Sequence, residues 1–141
     1  MKKREWYTEV ICLVLFMVFL FVGLDKILDF RRFQWAIETS PPIRQLAVWL
    51  PYSMVTIEIV IAVALIVPRW RLLGLYASFS LLAIFSAYII FVILMCTYLP
   101  PSCGGVLPKI TWTQQLALNF LLLAFSYWGL ISYDRMQADN R

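Results

Sequence analysis

The chemistry this sequence offers rests on Cys96, Cys103, Glu58, Lys26, Gln115 and Asn119. The two cysteines fall in Met95–Trp112, MCTYLPPSCGGVLPKITW, the long polar interruption in the second half of an apolar chain. Pro100-Pro101 lies between them and turns the backbone, so the thiols are within loop reach of each other. In an oxidising compartment such a pair is a candidate disulfide or redox-active couple, with the thiolate as the attacking species. Their spacing is neither C-x-x-C nor a zinc pattern, and a plain turn would contain the same Gly104-Gly105. Lys109 is the nearby cation that would lower a thiol pKa. Cys12, inside the first apolar run, is expected to be buried and inert.

Glu58 stands alone in SMVTIEIVIAVAL, with no other charge between Arg44 and Arg69. An acid at mid-span costs roughly 2.5 kcal/mol or more, so it must face a bundle interior. It is a candidate proton carrier or a hydrogen-bond anchor for a polar head such as a quinone carbonyl. An interhelical hydrogen bond that fixes packing would need the same residue. Lys26 closes the first apolar run in GLDKILDF, where a lysine ordinarily snorkels to the interface, and Asp29 is its simple helical partner. At ~1.5 Å per residue, Glu58 lies about 10–15 Å below the outer end of its helix, against only a few for Lys26. The two are therefore not expected to touch directly; a water or a bound polar group would bridge them. Thr111, Gln115, Asn119 and Ser126 share one face of the last helix. That stripe is expected to meet Glu58 or the serines of the preceding helix, as packing glue or as a ligand site.

The elements that must position these groups are membrane helices. Of 141 residues 62% are hydrophobic and only 14% charged, with a mean hydropathy of +0.80. That is more apolar surface than a soluble domain of this size can hide, so lipid is the solvent for much of it. No histidine occurs, which excludes Ser-His-Asp triads and histidine metal sites. The net charge of +4 comes from clusters at helix ends, which argues against nucleic acid. The basic start and apolar run of the N-terminal stretch lack a small-x-small cleavage site, so they read as a retained first span.

A hydrocarbon core of ~30 Å takes about 20 apolar residues of helix. Stretches near 7–28, 48–67, 72–95 and 114–133 qualify, giving an all-α fold: one polytopic domain over 1–141, a four-transmembrane-helix bundle. Lys2, Lys3, Arg4, Arg69, Arg71, Arg135 and Arg141 fall on one side; Lys26, Arg31, Arg32, Arg44 and Lys109 on the other. The excess predicts both termini in the cytoplasm, with Cys96 and Cys103 outside. Between the first two spans, Phe30, Phe33 and Ile37 share one face and Arg31, Gln34 and Glu38 lie elsewhere around it. This predicts a short interfacial helix ended by Ser40-Pro41-Pro42, either a plain connector or a lid. The turn Pro68–Arg71 makes its flanking helices antiparallel neighbours. Gly74, Ala77, Ser78, Ser80, Ala83, Ser86 and Ala87 suit close approach, which predicts a central place for the third span.

Taken together, GLDKILDF, the outer-loop TSPPI, LPYSMVTIEIVIAVALIV and above all SCGGVLPKITWTQQLALNFLLL resemble the MauE/DoxX group of redox-associated bacterial membrane proteins. The similarity covers nearly the whole chain, though only the Cys103 segment and the Glu58 helix are specific. The resemblance implies a four-helix fold loosely shared with vitamin K epoxide reductase. It further implies a cytoplasmic-membrane accessory role in envelope thiol/disulfide or quinone-linked electron transfer, of the methylamine-utilisation maturation type. Cys103, Gly104, Gly105, Trp112 and Asn119 match family positions, as do the polar Glu58 and Lys26. A periplasmic thioredoxin-like or other redox protein is the implied partner. Two departures stand out: Pro101 replaces the second cysteine of a C-x-C, and Gln115 stands where a histidine is common. An intact autonomous dithiol is therefore not expected, and Cys96 is a substitute partner on this chain's own evidence. A structural or assembly subunit is the alternative from another class. A small transporter is weaker, because one acid and no internal repeat make a thin translocation path.

Overall fold

The computed structural model describes residues 2–39, 44–95 and 112–141. The first helix, α1 (Lys2–Leu28), carries the N-terminal basic cluster into the first apolar run without a break. It gives way at Asp29, whose N–H still reaches the Asp25 carbonyl at 3.0 Å. The expected interfacial helix follows as α2 (Phe30–Glu38). Its apolar face anchors it: Ile37 is fully buried beside Ala47, Leu50 and Met54. Phe30 packs on Tyr52 with ring centroids 4.8 Å apart. Ser40-Pro41-Pro42, expected to end this helix, lies outside the described residues, as does the Phe33 side chain.

A short 3-10 turn at Arg44–Leu46 leads into α3 (Leu50–Ile66), with Pro51 in the first turn, where its missing N–H costs nothing. At 17 residues α3 rises about 25 Å, less than the ~30 Å hydrocarbon core. Pro68 stops it, and the turn Pro68–Trp70 reverses the chain into α4 (Arg71–Met95). The last helix, α5, runs Trp112–Asp139, several residues beyond the apolar stretch expected from hydropathy. Among the described residues three helices are long and apolar enough to cross a membrane, and α3 is a shorter apolar companion. Large apolar side chains cover the outside, including Leu94 at 75% exposed, Leu73 at 67% and Ile84 at 63%. A surface of that kind needs lipid around it.

The four long helices close a ring in which α1 packs on α3 and α5, and α4 packs on the same two. Helices α3 and α5 therefore sit on opposite corners, and α4 is a corner like the others, not the central helix that its small residues predicted. Those residues work at one seam instead. A Cβ on Gly74 would stand 3.0 Å from the backbone nitrogen of Leu65, so α4 touches the α3 backbone there. Gly129 brings α5 equally close to Ile11 of α1 and Leu75 of α4. Ile11, Cys12, Leu15, Leu65 and Leu75 fill the core between these contacts. Cys12 is 3% exposed, the buried position expected of it. Arg4 and Asp139 pair at 3.1 Å, which puts the two termini at the same end of the bundle.

Candidate functional site

Lys26 does not snorkel. Its ammonium turns inward from the last turn of α1 and meets Glu58 Oε1 at 2.5 Å. Both residues are buried, at 3% and 1% exposure. The expectation that they stand too far apart in depth counted backbone rise alone. A lysine stem adds about 6 Å of reach on its own, and in a bundle whose interior already holds an acid the ion pair outweighs escape to the interface. The Phe85 ring of α4 lies 5.5 Å from the same ammonium and offers its π face to the charge.

The carboxylate is only half used. Glu58 Oε2 has no hydrogen-bond partner among the described residues. It looks toward α1 at Gly23, where an added Cβ would lie 4.0 Å from that oxygen and 3.5 Å from Ile59. Gly23 and Lys26 are three residues apart and so share a face of α1. That spacing was the available sequence signal for Gly23, and it was missed; nothing in the sequence marks Phe85.

Helix α5 supplies the rest. Gln115, Asn119 and Ser126 are buried, at 8%, 3% and 0% exposure, so the predicted stripe does face inward. Gln115 Oε1, Asn119 Nδ2 and Ser126 Oγ have no partner among the described residues. The α4 serines do not supply one: Ser78 donates to the Gly74 carbonyl at 2.7 Å and Ser86 to the Leu82 carbonyl at 2.8 Å. Each hydroxyl is thus satisfied within its own helix.

Depth can be read from the glycine contacts, which set Ile11, Leu65, Leu75 and Gly129 at one level. Counting helical rise from there, Glu58 stands about 10 Å, Phe85 and Asn119 about 15 Å, and Gln115 and Lys26 about 20 Å toward the other end. The polar side chains of α1, α3 and α5, with the Phe85 ring of α4, therefore fall in the half of the bundle away from the termini. Met95 closes α4 and Trp112 opens α5 at that same end. The intervening segment, with Cys96, Cys103, Gly104, Gly105, Lys109 and Thr111, lies outside the described residues.

An apolar helical bundle with a paired lysine and glutamate in its interior defines a class: a polytopic membrane protein that keeps charge inside, where the bilayer makes it costly. Within that class, a family model described as methylamine utilisation protein MauE matches residues 4–132. The chain belongs to the MauE family, and is a membrane accessory protein of the methylamine-utilisation type. No curated protein and no solved structure gives a significant match to it.

Proposed function

We propose that this protein serves envelope redox chemistry from the bacterial cytoplasmic membrane, with both termini in the cytoplasm and the Cys96–Cys103 segment on the periplasmic side. The observation that carries the reading is the buried Lys26–Glu58 pair, left with an open carboxylate oxygen in a layer that also holds Asn119 and Gln115. Structural ion pairs in membranes normally satisfy themselves; open polar atoms there mark a place built for something else. The layer lies in the half of the bundle where Met95 closes α4 and Trp112 opens α5.

On the periplasmic side, the Cys103 thiolate attacks a disulfide of a thioredoxin-like partner and forms a mixed disulfide. The partner's other sulfur leaves as thiolate. Cys96 then attacks Cys103, releases the reduced partner, and closes an intramolecular disulfide that carries the two electrons' worth of oxidation. The reverse sequence oxidises a partner dithiol. In the membrane, Lys26, Glu58, Asn119 and Gln115 fit the polar head of a quinone, with buried donors and acceptors beside an aromatic ring. Such a group supplies a two-electron, two-proton exchange when bound. The protein's part is to hold the head by hydrogen bonds, exclude bulk water and keep a proton acceptor at Glu58 Oε2.

Trapping free thiols in intact cells tests the first half. Wild type is expected to show a reductant-sensitive pair that both Cys96→Ser and Cys103→Ser abolish. Cysteines that stay reduced, with no envelope phenotype in either variant, would end the redox reading. Glu58→Gln tests the second half and is expected to impair quinone-linked activity at normal protein levels. A second reading, an assembly subunit, is favoured by the way Lys26 and Glu58 bind each other across α1 and α3. Disappearance of the Glu58→Gln protein, together with unchanged activity of any remainder, would favour it.

A further inference from the structure

The open atoms of the polar layer are not a neutral mixture, and their polarity selects a ligand. Glu58 Oε2 and Gln115 Oε1 are acceptors, and Asn119 Nδ2 is a donor. The strongest donor in the layer, the Lys26 ammonium, already faces Glu58 Oε1. A ligand that brings only acceptors, as the carbonyl oxygens of an oxidised quinone do, would leave the buried carboxylate oxygen uncompensated. A ligand that brings O–H groups satisfies it. All three side chains are at least nine-tenths buried, so water is a poor competitor for these bonds.

We infer that the site is selective for the reduced, hydroquinone form of a quinone, whose hydroxyl donates to Glu58 Oε2. The inference rests on the quinone-linked reading of this layer and adds the redox state that it holds. Gly23 is part of the recognition: it flanks Glu58 Oε2, and the methyl of an alanine there would stand 4.0 Å from that oxygen and narrow the approach to it. A hydroxyl bonded to a carboxylate is among the stronger hydrogen bonds available, worth about tenfold or more in affinity. Gly23 is thus a specificity-determining position that needs no polar atom of its own.

The test uses the whole protein in lipid nanodiscs, titrated anaerobically with trimethylhydroquinone, trimethylbenzoquinone and the dimethyl ether of the hydroquinone. The ether keeps the ring and loses both O–H donors. The hydroquinone is expected to bind at least about tenfold tighter than either of the others. Glu58→Gln should reduce that preference several-fold. Because that variant removes the charge facing Lys26 and can fail to fold, Gly23→Ala is the second arm. Its methyl enters at ordinary contact distances, so the protein should melt as wild type while hydroquinone affinity falls several-fold. Equal or tighter binding of the quinone or the ether overturns the inference but keeps a quinone-linked site. Undiminished hydroquinone binding by Gly23→Ala also overturns it. Failure of all three compounds to bind wild type overturns both the inference and the quinone-linked reading beneath it.

Discussion

At the end of the bundle where the termini meet, Arg4 and Asp139 pair at 3.1 Å with about half of each side chain exposed. In the opposite half, Lys26 and Glu58 pair at 2.5 Å with 3% and 1% exposed. The bond is of the same kind, but the medium around it differs. Water screens the first pair and would solvate either partner alone, so nothing large depends on it. The second pair is buried, so taking either charge away from the other is costly. The terminal half is held instead by backbone approach at Gly74 and Gly129. One half of the molecule is built on shape, and the other carries its charge.

The largest effect should come from separating the buried charges. Glu58→Leu removes the buried counter-charge that faces the Lys26 ammonium and is expected to cost about 3–5 kcal/mol, measured by denaturant unfolding in detergent micelles. The double variant Lys26→Met/Glu58→Leu removes both charges and should recover most of that loss. If single and double variants unfold alike, the pair is not what holds α1 to α3, and the contrast between the two halves fails.

Next in size is the shape-built half. A methyl at Gly74 meets the backbone of Ala64 and Leu65 at 3.1 and 3.0 Å, and backbone cannot turn aside. Gly74→Ala is therefore expected to cost about 1–3 kcal/mol. Gly129→Ala meets side-chain atoms of Ile11 and Leu75 at similar distances, and these can rotate, so its cost should be smaller. Equal losses in the same unfolding measurement would show that the α3–α4 seam is no tighter than the others.

The two halves also differed in how far they could be read from sequence. Helix number, the inward Ile37 of α2 and the inward stripe of Gln115 and Asn119 followed from periodicity, because lipid tolerates few arrangements of polar groups. The Lys26–Glu58 contact did not follow, since rise along a helix locates Cα atoms while the pair is closed by a long, flexible stem. Phe85 and the ring order of the helices depend on which faces meet, and a uniformly apolar helix such as α4 does not declare its buried side. The serines of α4 misled for a related reason: Ser78 and Ser86 bond within their own helix, an outcome that sequence cannot separate from a bond across the bundle.

Gly23→Ala joins the two principles, since it adds shape beside charge. Its Cβ finds Ile59 at 3.5 Å and Glu58 Oε2 at 4.0 Å, both ordinary contacts. Replacing a mid-helix glycine by alanine gains roughly 0.5–1 kcal/mol, so stability should hold or rise slightly. A clear loss of stability would mean that the space beside Glu58 is needed for packing and not for access.

The smallest effect belongs to the exposed pair. Arg4 sits in the first turn of α1 and Asp139 in the last turn of α5, each unfavourable to its own helix dipole and favourable to its neighbour's. These contributions oppose each other, and both charges remain hydrated. A double-mutant cycle of Arg4→Ala and Asp139→Ala should therefore give a coupling of about 1 kcal/mol or less. Raising ionic strength to ~1 M, where the screening length falls to about 3 Å, should remove most of it. The buried pair's coupling should barely respond to the same salt. A strong, salt-insensitive coupling at Arg4–Asp139 would mean that this end is also closed to water, and that medium does not separate the two pairs.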